Sequence, residues 1–102
     1  MSIDISARAQ ADIDIASEEL AESYGPHVAL AFQDRLTETL NRLERQPFSA
    51  GVVDPPYAKY PEMRVRTVRK FVYRLVYYIP MPTGIRVVRI LHAGMDSTAI
   101  FG

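Results

Sequence analysis

The chain has 102 residues, 48% apolar and 24% charged, with no cysteine and a formal net charge of zero. That length holds one domain with one modest core, and the composition is that of a folded protein rather than a disordered one. Disulfides and thiolate metal sites are excluded, and two histidines 65 positions apart argue against a zinc site.

Ser2-Ile3-Asp4-Ile5 alternates like a short strand, and Ser6 has the character of an N-cap for a helix reaching about Tyr24. Ala9, Ile13, Ala16, Leu20 and Tyr24 form its apolar stripe, which leaves Asp12, Asp14, Glu18, Glu19 and Glu22 largely on the outer side. Gly25-Pro26 breaks this helix and starts a second, over about Pro26 to Gln46, with Ala29, Phe32, Leu36, Leu40 and Leu43 as its buried stripe. So short a break predicts an antiparallel helical hairpin. From Pro47 to Pro61 four prolines, one glycine and three aromatics lack any periodicity, which predicts a loop.

Met63 to Val68 alternates as a strand and turns near Arg69 into the central strand, Arg69 to Ile79. There Phe71, Tyr73, Leu75, Tyr77 and Ile79 share one face, and Lys70, Val72, Arg74, Val76 and Tyr78 the other. Pro80 to Gly84 connects as a hairpin to a last strand, Ile85 to His92. After the turn Ala93 to Asp96, only a short tail remains. The expected class is α+β, in the order β-α-α-β-β-β, with the helical hairpin packed on one face of a mainly antiparallel sheet.

The zero net charge conceals an asymmetry. Residues 1–50 carry nine acids against four arginines, and residues 51–102 carry three acids against eight basic residues. No acid stands between Glu62 and Asp96, whereas Arg64, Arg66, Arg69, Lys70, Arg74, Arg86 and Arg89 fall in that interval. Such a surface attracts nucleic acid or an acidic protein segment, or else serves as a solvated face whose charges discourage aggregation. Among single residues Arg74 stands out, because it is a planar, always-charged fork set among apolar neighbours. His92 closes the last strand four residues before Asp96, as a structural pair or a proton-transfer pair. No phosphate loop, nucleophile elbow or HExxH pattern is present.

Pro47 followed by Gly51, the segment Val72-Tyr73-Arg74-Leu75-Val76-Tyr77 and the closing Val88-Arg89-Ile90-Leu91-His92-Ala93-Gly94-Met95-Asp96 together resemble the RelE/ParE superfamily of bacterial toxins. The resemblance covers nearly the whole chain, so residues 1–102 form one RelE/ParE-like toxin domain. It implies a type II toxin–antitoxin system of the kind linked to plasmid stabilisation. The toxin is held inactive in a hetero-oligomer by a cognate antitoxin that folds across its groove and sheet. No cofactor or metal is implied. No apolar run is long enough for a membrane span, and Met1 to Ser6 lacks the pattern of a signal peptide, so the expected location is the cytoplasm.

The branch is decided by individual residues. RelE-type members cleave messenger RNA on the ribosome with lysines before the central strand, an arginine within it, a second arginine after the last strand and a tyrosine near the C-terminus. Here Arg74 aligns with the central arginine, but Val65 and Thr67 stand at the lysine positions, Met95 at the second arginine and Phe101 at the tyrosine. ParE-type members lack that set, are similar to this chain in the His-x-x-x-Asp ending, and bind DNA gyrase without hydrolysing anything. The ParE-like reading therefore leads, with Arg64, Arg66, Arg69, Arg74, Arg86, Arg89, Met95, Asp96 and Phe101 as the expected surface for target and antitoxin. The alternatives are a ribonuclease using Arg74 with Arg64, Arg66 or His92 in substitute roles on ribosome-bound message, and a non-toxic relative that retains only antitoxin binding. The leading reading presumes that Arg74 has no proton-handling group beside it.

Overall fold

The structure, a computed structural model, describes residues 2–102. Its elements are β1 (Ser2–Ile5), α1 (Ala7–Tyr24), α2 (Pro26–Arg45), β2 (Gly51–Val52), β3 (Arg64–Val68), β4 (Phe71–Met81), β5 (Gly84–His92) and α3 (Ser97–Phe101). The five strands form one sheet in the order β1-β5-β4-β3-β2, with β1 parallel to β5 and every other pair antiparallel. The α+β class and the helical hairpin on one face hold as expected. Two elements are additional: β2, inside the stretch read as loop, and α3, in the stretch read as tail.

The helices begin and end where capping chemistry dictates. Ser6 Oγ accepts the Ala9 amide at 3.0 Å, which satisfies one of the free donors of the first turn of α1. Gly25, at φ 100°, closes α1 and precedes Pro26 at the start of α2; a side chain there would be strained and would crowd the His27 ring. The stripe of α2 is buried as its period predicts, with Ala29, Phe32, Leu36, Leu40 and Leu43 packed on Val68, Val76, Tyr78, Ile85, Val87 and Ile90 of the sheet. Each of the larger side chains contributes about 1.5–3 kcal/mol by burial. Along α1, Ala9, Ala16 and Leu20 are buried as expected, but Tyr24 is 67% exposed.

Strict alternation breaks at two places. Val68 pairs with Phe71 while Thr67 pairs with Leu75, so three residues of β4 have no counterpart on β3. Phe71 consequently packs with the helices, edge-on to Phe32 at 5.4 Å, and parts from Leu75, Tyr77 and Ile79 on the opposite face. In β5, Tyr78 pairs with Val87 and Tyr77 with Arg89, which makes Val88 the extra residue of a bulge. Helix α1 completes the hydrogen bonding around this bulge. Ser6 Oγ donates to the Val88 carbonyl at 2.8 Å, and Asp12 accepts the Ile90 amide at 3.0 Å. The same carboxylate holds Arg89 through two bonds, from Nε at 2.8 Å and from Nη2 at 2.9 Å. Asp12 was expected on the wet face of α1; instead its side chain is 11% exposed and that of Arg89 is 16% exposed. The pair holds the Arg89 pKa above its ordinary value.

The second face of the sheet is also covered. Met63, Tyr77, Leu91 and Phe101 are buried there, flanked by Val53, Tyr57, Tyr60, Leu75, Ile79, Val88 and Ile100. The proline-bearing segment and α3 thus form a lid, tied by the Tyr57 and Ser97 hydroxyls at 2.8 Å.

Replacing Asp12 with Ala leaves Arg89 nearly buried without its partner and should destabilise the fold by about 3–5 kcal/mol. A D12M/R89M double variant should recover part of that loss in urea denaturation, the Ile90 amide still lacking its acceptor. Full additivity of the two single variants would show that the pair is not a unit. Tyr78, whose hydroxyl donates to the Pro47 carbonyl at 2.7 Å, has its pKa raised chiefly by burial. Its folded-state pKa lies above the unfolded one, so its contribution is intact below about pH 10 and is lost as pH rises through the folded value. Y78F should cost about 1 kcal/mol at neutral pH and flatten the alkaline fall in thermal midpoint.

Candidate functional site

Arg74 lies near the start of β4, on the side of the sheet that carries the helices, with its side chain 15% exposed and Nη2 donating to Glu19 of α1 at 3.3 Å. The chain around it forms an open cleft of about 440 Å³ lined by Leu20, Tyr24, Val28, Lys70, Phe71, Val72, Tyr73 and His92. Most of that wall is apolar, and Val72 and Tyr73 stand exposed at its edge, in the stretch of β4 left unpaired between the Phe71–Val68 and Leu75–Thr67 pairings. Lys70 reaches the cleft from a left-handed turn position, φ 67°.

His92 is the register partner of Arg74 on the adjacent strand. The bulge at Val88 is what brings it there, since one extra residue moves Ile90 and His92 to the helix-bearing side and Leu91 to the other. Its ring stacks on Tyr73 with centroids 6.2 Å apart, and its Nδ1 accepts the Gly94 amide at 2.9 Å. The expected contact with Asp96 does not form, because the Asp96 carboxylate instead caps α3 through the Thr98 amide at 3.0 Å. The premise that Arg74 has no proton-handling neighbour is corrected: His92, Tyr73 and Lys70 share its cleft. Periodicity alone missed this, since the bulge has no mark in the sequence.

The remaining candidates do not make one surface. Arg64 donates to the carbonyls of Phe48 at 3.3 Å and of Ala50, and its guanidinium lies 5.0 Å from the Phe48 ring centroid. Arg66 donates to the Ser49 carbonyl at 3.1 Å. Both hold down the segment after α2, and Arg69 follows them toward the C-terminal end of that helix. Arg86 is exposed and 3.7 Å from Asp4, whereas Arg89 is committed to Asp12. Met95 is exposed in the turn after β5. Phe101, expected as a contact residue, is 3% exposed and packs against Tyr57, Tyr60 and Tyr77, so no partner reaches it in this fold.

Among the described residues no cluster of three or more histidine, aspartate or glutamate side chains is suited to a metal, and no helix is long and apolar enough to cross a membrane.

A family model described as "ParE toxin of type II toxin-antitoxin system, parDE" matches residues 3–97. No curated protein sequence matches the chain. Among solved structures, one described as "Chromosomal ParDE TA system from P. aeruginosa" superposes with a TM-score of 0.73 at 22% identity, over 90% of this chain and 95% of that one. At that identity the superposition speaks for the fold, and the match over residues 3–97 for the family. The chain belongs to the ParE toxin family of type II toxin–antitoxin systems.

Proposed function

We propose that this chain acts in the cytoplasm as a binding toxin, that its target is DNA gyrase, and that a cognate antitoxin silences it by covering the Arg74 cleft. One observation carries the reading: the wall of the cleft around Arg74 is mostly apolar, and Glu19 already engages the guanidinium. A protein partner needs apolar anchors beside one or two charged contacts. Tyr24, Val72 and Tyr73 supply the anchors, and a carboxylate of the partner would take the place of Glu19 on Arg74. An amphipathic segment with one acidic side chain fits that description.

The purified chain is expected to inhibit supercoiling by gyrase at near-stoichiometric ratios. Full supercoiling at a large excess of folded chain would rule the target out. Y73A should weaken antitoxin binding by about tenfold or more, as removal of an interface aromatic does, without changing the thermal midpoint. Unchanged affinity would remove the cleft from the interface.

A ribonuclease reading is supported by a different observation, the meeting of Arg74, His92, Tyr73 and Lys70 in one cleft. If it holds, the chain cleaves ribosome-bound message, and R74A and H92A each abolish cleavage while remaining folded. Unaffected growth on expression of the chain alone would instead favour a relative that retains only antitoxin binding.

A further inference from the structure

A second cleft lies on the helix-bearing side of the sheet at its far edge, between the last turns of α2 and strand β3. It is lined by Glu38, Thr39, Arg42, Arg45, Gln46, Arg66, Thr67 and Arg69, and encloses about 810 Å³. Four arginines face one carboxylate. That carboxylate, Glu38, is already engaged by Arg35 at 3.2 Å, and no acid lies within ion-pair distance of Arg42, Arg45, Arg66 or Arg69 among the described residues.

The C-terminus of a helix attracts cations, which accounts for Arg42 and Arg45 taken alone. It does not account for Arg66 and Arg69, which come from β3 and the turn after it and enter the same space. Gathering four like charges is unfavourable unless something negative joins them. Moreover, Arg66 Nε is buried with no hydrogen-bond partner. The walls are firmly set, because Thr39 Oγ1 donates to the Arg35 carbonyl at 2.8 Å and accepts the Arg69 amide at 3.4 Å, which ties helix to turn.

We propose that this cleft binds the phosphodiester backbone of duplex DNA, through Arg42, Arg45, Arg66 and Arg69 and without regard to base sequence. Guanidinium forks match phosphate oxygens, and the exposed hydroxyl of Thr67 is of the kind that supplements such contacts. Two absences from the lining exclude the competing ligands. No aromatic ring lines it, so it has no platform for stacking the bases of a single strand. It also offers none of the apolar anchors on which a protein segment depends. Its volume exceeds what a lone anion needs and suits successive phosphates. The inference is independent of the gyrase reading and of the Arg74 cleft.

The test is equilibrium binding of the full chain to a fluorescent, mixed-sequence DNA duplex across a salt series that starts at about 50 mM. With three or four phosphates neutralised, the slope of log affinity against log salt is expected at about −2.7 to −3.6. Among the described residues Arg42 and Arg69 make no side-chain hydrogen bond or ion pair, so R42Q/R69Q should fold with an unchanged thermal midpoint. Its slope should be shallower by about two. R86Q, outside the cleft, should bind as the unaltered chain does. The proposal is overturned if the duplex does not bind at the lowest salt or if R42Q/R69Q retains the full slope. It is equally overturned if single-stranded DNA or polyglutamate competes as well as unlabelled duplex.

Discussion

The extra residue at Val88 is the constraint on which both faces of this molecule depend. A bulge removes ladder hydrogen bonds, and a buried carbonyl or amide left without a partner costs about 1–3 kcal/mol. Here the Val88 carbonyl receives the Ser6 hydroxyl, and the Ile90 amide is taken by the Asp12 carboxylate, both from the start of α1. The helix is therefore docked on β5 by polar repair as well as by apolar contact. Because side chains alternate along a strand, the same residue also decides which of them reach each face. Ile90 stays in the helix-side core, Leu91 enters the second cluster, and His92 arrives beside Arg74. A strand without the bulge would send His92 to the face under the lid.

The acidic first half and the basic second half of the sequence are joined across this framework. Asp4 meets Arg86, Asp12 meets Arg89, and Glu19 meets Arg74, so three acids from β1 and α1 engage three arginines from β4 and β5. The Asp12–Arg89 pair is nearly dry and hydrogen-bonded on both oxygens, which makes it structural. The Asp4–Arg86 pair is exposed and long at 3.7 Å, which makes it weak. Among the charges left without an ion-pair partner in the described residues are Asp14, Glu18 and Glu22 on α1 and Arg42, Arg45, Arg66 and Arg69 around the end of α2. A chain with no net charge thus presents two fields of opposite sign to a partner.

Features set by local periodicity were legible in the sequence. The stripe of α2 was read residue by residue because a 3.6-residue repeat of large apolar side chains has few other solutions, and Gly25-Pro26 located the break for stereochemical reasons. Features set by pairing between distant residues were not. Asp12 is indistinguishable from Asp14 on a helical wheel until β5 supplies Arg89. The register of Arg74 with His92 depends on a bulge that no residue type announces. Strand β2 is two residues long and α3 five, below the length at which a period exists. Phe101 was aligned with a family position and expected at the surface. Three tyrosines bury it, and their rings come from β4 and from a segment without pattern.

Arg74 and Glu19 differ sharply in exposure, at 15% against 59% for their side chains, and that difference bears on how the cleft works. The arginine is fixed by its surroundings on β4, whereas the glutamate projects from an exposed helix face with most of its hydration intact. Ion pairs of this kind contribute at most about 1 kcal/mol, since the exposed partner gives up little water and gains little field. Opening the pair therefore costs a competitor almost nothing, while the arginine it frees is already oriented and partly desolvated. An incoming carboxylate that also brings apolar cover for Val72 and Tyr73 would remove the remaining water and make the same interaction stronger than Glu19 can. The latch favours a ligand that delivers charge and apolar surface together, and it discriminates against a bare anion that delivers charge alone.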